Sequence, residues 1–222
     1  MTPARSSSCR QLTLRTSSAD ETRAVAAVVA TVLESGDAIV LTGELGAGKT
    51  CFVQGAAAEL GVERRVTSPT FTLMRDYHGD RHHIVHVDVY RLNHMQDFVE
   101  LGQEALLGPE QVTFVEWGDT VEPLLPGDRL EVELLLGDGD DERVVHLRGH
   151  GTWAGRIADL VSGLGRWLLD GDAGSTEGYP GGGGVTDDVP AGGERAVSDD
   201  DGPGDGDPGA RAGDDPDGDG SR

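Results

Sequence analysis

The chain has 222 residues with 40 acidic side chains against 18 basic ones, a formal net charge of −22, and only two cysteines, Cys9 and Cys51. That balance excludes a broad nucleic-acid-binding face, which needs clustered Lys or Arg, and the cysteine count excludes a disulfide framework. No apolar run reaches 18 residues and the opening MTPARSSSCRQL lacks an apolar secretory core, so a cytoplasmic protein without a membrane segment is the expectation.

Composition also divides the chain. Residues 171–222 hold 16 glycines, 14 acids and 3 arginines with a single aromatic residue, Tyr179. Such a stretch buries too little apolar surface to offset the entropy of ordering it, so it is expected to be a disordered acidic tail. Residues 1–9 are expected to be a flexible N-terminus, which leaves 10–170 as one domain.

Within that domain residues 11–14 read as a short first strand. Ser17, Ser18, Asp20 and Glu21 then give a helix start with acids in the first turn. Ala24, Val25, Val28, Val29, Val32 and Leu33 recur at helical spacing until Gly36, which predicts a helix packed on a sheet. Residues 38–41 are all apolar and read as a buried strand, and from Cys51 to Leu60 the spacing is again helical.

Between that strand and helix lies GELGAGKT, residues 43–50, which fits G-x-x-x-x-G-K-T at every fixed position. Gly43, Gly46 and Gly48 let the backbone turn its N–H groups around phosphate oxygens, while the helix presents its positive N-terminal end to the same anion. In such a motif Lys49 reaches the terminal phosphates and Thr50 ligates magnesium. Glu44, Leu45, Ala47 and Cys51 complete the nucleotide-binding stretch. Lys49 is the only lysine in the chain, against 17 arginines. A composition nearly free of lysine that keeps one here points to a compact ammonium that a guanidinium cannot replace.

Residues 66–71, with Pro69, read either as an ordinary loop entering a strand over 71–77 or as a switch segment whose hydroxyls sense the γ-phosphate. Residues 82–90 alternate as a strand around Ile84, Val85 and Val87 and end in Asp88, which is either a strand-end cap or a carboxylate on the magnesium side. His82, His83, His86 and His94 invite a metal reading, but their spacing fits no usual zinc pattern and partly exposed strand histidines are expected.

A helix over 96–107 precedes a second buried strand ending in an acid, Glu116. In a parallel sheet both strand ends point to the edge that carries the phosphate loop, so Asp88 and Glu116 can face one magnesium site. Trp117 is open between local core and a ring beside the nucleotide. Strands over 130–136 and 143–147 form an antiparallel hairpin, and Trp153, Ile157, Leu160, Val161, Leu164 and Leu168 mark a closing helix. The fold expected is α/β of the P-loop NTPase type, a mainly parallel sheet flanked by helices with an antiparallel hairpin near the C-terminal end.

Four stretches in this order, GELGAGKT, TSPTF at 67–71, HVDVYRL at 86–92 and VEWGD at 115–119, resemble the TsaE family of small bacterial P-loop ATPases. The resemblance spans about residues 12–150. It implies an ATPase that serves threonylcarbamoyladenosine synthesis on transfer RNA together with TsaB and TsaD, with ATP turnover assembling or resetting that complex and with tRNA reached only through the partners. It further implies that Thr50 and Glu116 hold magnesium, that Lys49 holds the phosphates and that Asp88 orients water or a magnesium-bound water. Thr67, Ser68 and Thr70 would form the nucleotide-sensitive switch, with Trp117 near the site. Cys51, Val89 and Gly118 depart mildly from the family pattern.

Two other classes compete. A guanine reader would need an Asn-Lys-x-Asp segment, which a chain with one lysine, Lys49, cannot contain. A small-molecule kinase with Arg64, Arg65, Arg75, Arg81 or Arg91 as phosphate clamps is the alternative, and a non-catalytic nucleotide-binding scaffold is a third.

Overall fold

The computed structural model describes residues 10–92, 95–100, 102 and 106–169. The expectations for the N-terminus, the acidic tail, Cys9 and His94 lie outside these residues, as does part of the helix expected over 96–107. Strands β1 (Arg10–Thr16), β2 (Ala38–Thr42), β3 (Met74–His78), β4 (His83–Asp88), β5 (Gln111–Glu116), β6 (Arg129–Leu136) and β7 (Arg143–His150) form one seven-stranded sheet. The helices are α1 (Ala19–Ala30), α2 (Lys49–Glu59), α3 (Met95–Glu100) and α4 (Trp153–Leu164), with a 3-10 helix at Gly118–Leu124.

The strand order is β1-β7-β6-β2-β5-β4-β3. Its centre, β6-β2-β5-β4, is parallel. Both flanks are antiparallel, with β3 against β4 on one side and β6-β7-β1 on the other. The mainly parallel sheet expected from the sequence is therefore confined to the four central strands. Connectivity accounts for the β3–β4 and β6–β7 pairs: a short turn can only reverse the chain, and parallel neighbours need a longer crossover.

Burial explains the layers. Residues 38–41 of β2 and 84–88 of β4 are buried throughout, as expected for strands covered on both faces. One face carries the larger core, in which Leu12, Ile39, Phe52, Phe114, Val132 and Trp153 meet beneath α1, α2 and α4. The other carries a smaller cluster of Val85, Val87, Val115, Phe98, Leu106 and Val121 beneath α3 and the 3-10 helix. Helix α1 starts where the sequence predicts, with Ser18 Oγ accepting from Glu21 N at 3.2 Å.

Several boundaries differ from the sequence reading. Helix α2 begins at Lys49, so Lys49 and Thr50 occupy its first turn. Strand β3 begins only at Met74, because Leu73 takes a left-handed conformation (φ 63°) and leaves Phe71 83% exposed. The closing helix stops at Leu164, and Leu168 instead pairs with Leu14 of β1.

Candidate functional site

The site lies at the carboxyl ends of β2, β4 and β5, which the parallel register brings side by side. Asp88 stands opposite Glu116, and Glu116 opposite Leu41. The loop after β2 takes positive φ at Gly43 (124°), Gly46 (81°) and Gly48 (109°), as the motif requires. At Gly43 there is also no room for a side chain, since a Cβ would lie 2.1 Å from the Leu134 carbonyl oxygen of β6.

Lys49 folds back over this loop. Its Nζ donates to the carbonyls of Gly43 at 2.6 Å and Glu44 at 2.9 Å and lies 3.5 Å from the centre of the Trp117 ring. Burial pushes the Lys49 pKa down, a shift that the charges of Glu116, Asp88 and Asp119 oppose. Trp117 reaches this position through a left-handed backbone (φ 63°) at the end of β5, an uncommon conformation for a bulky residue. Its ring lies 4.9 Å from that of Tyr90. The ring packs at the cavity wall and also touches the smaller core.

Two oxygen clusters form around the neighbouring carboxylates Asp88 and Glu116 at the strand ends. In one, Thr50 Oγ1 donates to Glu116 Oε1 at 2.7 Å. In the other, Ser68 Oγ and Thr70 Oγ1 lie 2.9 and 2.5 Å from Asp88 Oδ2 and 2.5 Å from each other. Two hydroxyl protons can serve at most two of those three contacts. Asp88 Oδ1 accepts from the backbone of Tyr90 at 3.0 Å, so one carboxylate oxygen does cap the strand end while the other meets the hydroxyls. Both carboxylates are buried, which makes them costly unless paired or used.

Together these residues line a cavity of about 370 Å³. Leu45, Gly46, Gly48, Lys49, Thr50 and Cys51 form one wall, and Ser68, Thr70, Asp88, Glu116, Trp117 and Tyr90 the other. Gly43, Glu44 and Ala47 shape the loop without lining the cavity. Thr67 is also set back, its backbone N–H and carbonyl both paired with the Tyr77 hydroxyl at 3.3 Å. Burial raises the Cys51 pKa, and its thiol donates to the Ala19 carbonyl at 3.2 Å.

The donor set is hard oxygen, which suits magnesium better than a softer metal. Among the described residues no three His, Cys, Asp or Glu side chains come together as metal ligands. Magnesium commonly takes only one or two carboxylates and fills its shell with phosphate and water, so two carboxylates and a threonine are a fitting set.

Three residues escaped the sequence reading. Tyr90 sits on the cavity wall. Arg143 of β7 donates from Nε to the Ala47 carbonyl at 3.1 Å and from Nη2 to that of Gly46 at 3.3 Å, clamping the loop from behind. His86 is not partly exposed but fully buried, with Nε2 2.8 Å from Glu116 Oε1. Its i, i+2 spacing from Asp88 places both on one face of β4, a signal that was available. Among the described residues no arginine lines the cavity: Arg64 stacks on Tyr77, Arg81 pairs with Glu59 and Arg91 stacks on Phe71.

Comparison with known proteins points one way. The family model described as "Threonylcarbamoyl adenosine biosynthesis protein TsaE" matches residues 16–145. The chain is 43% identical over 129 residues to the tRNA threonylcarbamoyladenosine biosynthesis protein TsaE of Treponema pallidum (strain Nichols), covering 58% of this chain and 95% of that protein. It is 39% identical over 136 residues to the protein of the same name from Bacillus subtilis (strain 168), covering 61% and 84%. The crystal structure of Bacillus subtilis YdiB is similar with a TM-score of 0.57 and 35% identity, over 71% of this chain and 96% of that one.

Proposed function

The chain belongs to the TsaE family, and on that footing we propose that it is a P-loop NTPase, the magnesium-dependent ATPase of tRNA threonylcarbamoyladenosine synthesis. The observation that carries this reading is the convergence of Lys49, Thr50, Asp88 and Glu116 on one cavity at the end of a parallel sheet. ATP is the substrate, TsaB and TsaD homologues are the partners, and tRNA is met only through their complex. Among the described residues no helix is long and apolar enough to cross a membrane, which accords with work in the cytoplasm.

The loop's N–H groups and the N-terminal turn of α2 receive the phosphates. Lys49 is released from the Gly43 and Glu44 carbonyls onto the terminal phosphates. Thr50 Oγ1 and Glu116 would hold magnesium, which would supply neutralisation of charge on the phosphate oxygens. Asp88 Oδ2 would accept a hydrogen bond from the attacking water, and Ser68 and Thr70, now bonded to that oxygen, would re-pair as it does so. The Trp117 and Tyr90 rings form part of the cavity wall beside these groups.

Phosphate release from ATP is expected to require Mg2+, to rise when TsaB and TsaD are added, and to fall by about 100-fold or more in Lys49→Ala and in Glu116→Ala. Unchanged turnover in both variants would leave only a nucleotide-binding scaffold. Label from γ-phosphate appearing on a small-molecule acceptor would transfer the reading to a kinase, which the absence of arginine from the cavity wall disfavours.

A further inference from the structure

His86 has no place in the chemistry described above, yet it is a wholly buried polar side chain that touches it. It lies on β4, next to the edge strand, opposite Phe114 of β5 and Arg75 of β3, with its ring centre 6.5 Å from that of Tyr77. Nε2 approaches Glu116 Oε1 at 2.8 Å, the same oxygen that accepts from Thr50. Among the described residues both hydrogen bonds to this carboxylate therefore end on one atom. Nδ1 is buried and has no partner among the described residues. A proton on Nε2 satisfies the carboxylate and leaves only an unpaired acceptor, whereas a proton on Nδ1 would bury an unpaired N–H and turn a lone pair toward the carboxylate. The hydrogen-bond pattern thus fixes the ring as a donor to Glu116.

A glutamate at a strand end has three side-chain torsions, and its outermost one is broad. Two donors on one oxygen, one from inside the sheet and one from the first turn of α2, remove that freedom. We propose that His86 is a positioning residue which holds Glu116 with one oxygen committed to the protein, so that the carboxylate meets a divalent cation in a single orientation beside Thr50. This rests on the reading of Thr50 and Glu116 as magnesium ligands. It follows the general arrangement in which a ligating carboxylate is itself held by a hydrogen bond from outside the metal's own shell. The alternative is that the pair merely satisfies two buried polar groups, and the two accounts differ in what a conservative replacement restores.

The test measures Mn2+ binding by the loss of the free-ion EPR signal, in the full chain with a non-hydrolysable ATP analogue. Binding of the analogue in EDTA and the melting temperature are measured in parallel. In His86→Leu the dissociation constant for Mn2+ is expected to rise by about tenfold or more, with metal-free analogue binding within about twofold of the parent. His86→Asn, polar but too short to reach Glu116, should behave alike and covers the case in which the leucine variant does not fold. His86→Gln, whose amide nitrogen can take the place of Nε2, should return Mn2+ affinity to within about threefold. Parental Mn2+ affinity in folded His86→Leu or His86→Asn overturns the inference. So does a glutamine variant as weak as the other two with metal-free analogue binding reduced in step. If the unaltered protein itself shows no coupling between Mn2+ and the analogue, the ATPase reading falls and this inference with it. Failure confined to the variants sinks the inference alone.

Discussion

Lys49 holds its ammonium between two loop carbonyls and the face of Trp117, a slot built for a compact cation. A guanidinium is planar and wider and cannot reproduce three rotatable donors on one atom. Lys49→Arg should therefore lose ATP turnover by about 100-fold while its melting temperature stays within a few degrees of the parent, as phosphate release and thermal unfolding would show. Gly43 is constrained differently. Gly43→Ala combines a φ of 124° with a Cβ only 2.1 Å from the Leu134 oxygen. It should destabilise the fold by about 3 kcal/mol or more, read as a lower denaturant midpoint. Both residues were legible because the motif names them. Trp117 and Leu73 were not fully legible, since a left-handed backbone at a non-glycine residue has no compositional mark and is imposed by packing around it. Thr67 illustrates the converse: it lies in the right segment, but its backbone is held by Tyr77, a contact ten residues away.

The β6–β7 hairpin shows what element-scale alternation can do. Leu130, Val132 and Leu134 face the core, while Glu131 and Glu133 share the other face with His146, Arg148 and His150 of β7. Arg148 donates to Glu131 at 2.9 Å and Glu133 at 2.6 Å, and His150 lies 3.1 Å from Glu131. The His150 hydrogen bond, outweighing burial and aided by Arg148, holds the Glu131 pKa below its ordinary value of 4.5. A carboxylate lowered on folding contributes stability above its unfolded pKa and loses it as pH falls through the folded one. Glu131→Gln is therefore expected to lower the melting temperature at pH 7, by about 1–2 kcal/mol in stability. The difference should shrink as pH drops below 4.5. A pH-independent difference would assign the loss to packing. The strands themselves were legible from alternation, and so was their antiparallel pairing from the turn between them. The pairing of β1 with β7 was not, because nothing in seven residues says which distant strand will take that edge.

At the scale of the whole molecule, two cores on opposite faces of one sheet divide the labour. The larger one, under α1, α2 and α4, sets stability. Trp153 is nearly fully buried there and its backbone packs against Gly149. Trp153→Ala should cost about 3–5 kcal/mol and lower the melting temperature by roughly 10 °C. The smaller one supports the strand ends bearing Asp88 and Glu116, and the single helix expected over 96–107 is interrupted at Gly102, whose φ of 86° is not helical. The sheet also closes residues from far along the chain onto the phosphate loop. Lys49 takes the carbonyls of Gly43 and Glu44, Arg143 those of Gly46 and Ala47, and Phe52 N that of Gly48. Five oxygens are thus already turned toward donors of the protein itself before any anion arrives. The peptide dipoles are sorted in advance, so capture of a phosphate needs no reversal of peptide planes, only the transfer of the Lys49 side chain from the Gly43 and Glu44 carbonyls to the anion. In stopped-flow measurements the observed association rate should rise in proportion to nucleotide concentration without levelling off. Loosening the clamp with Arg143→Ala should introduce a plateau, the kinetic signature of a loop that must first rearrange.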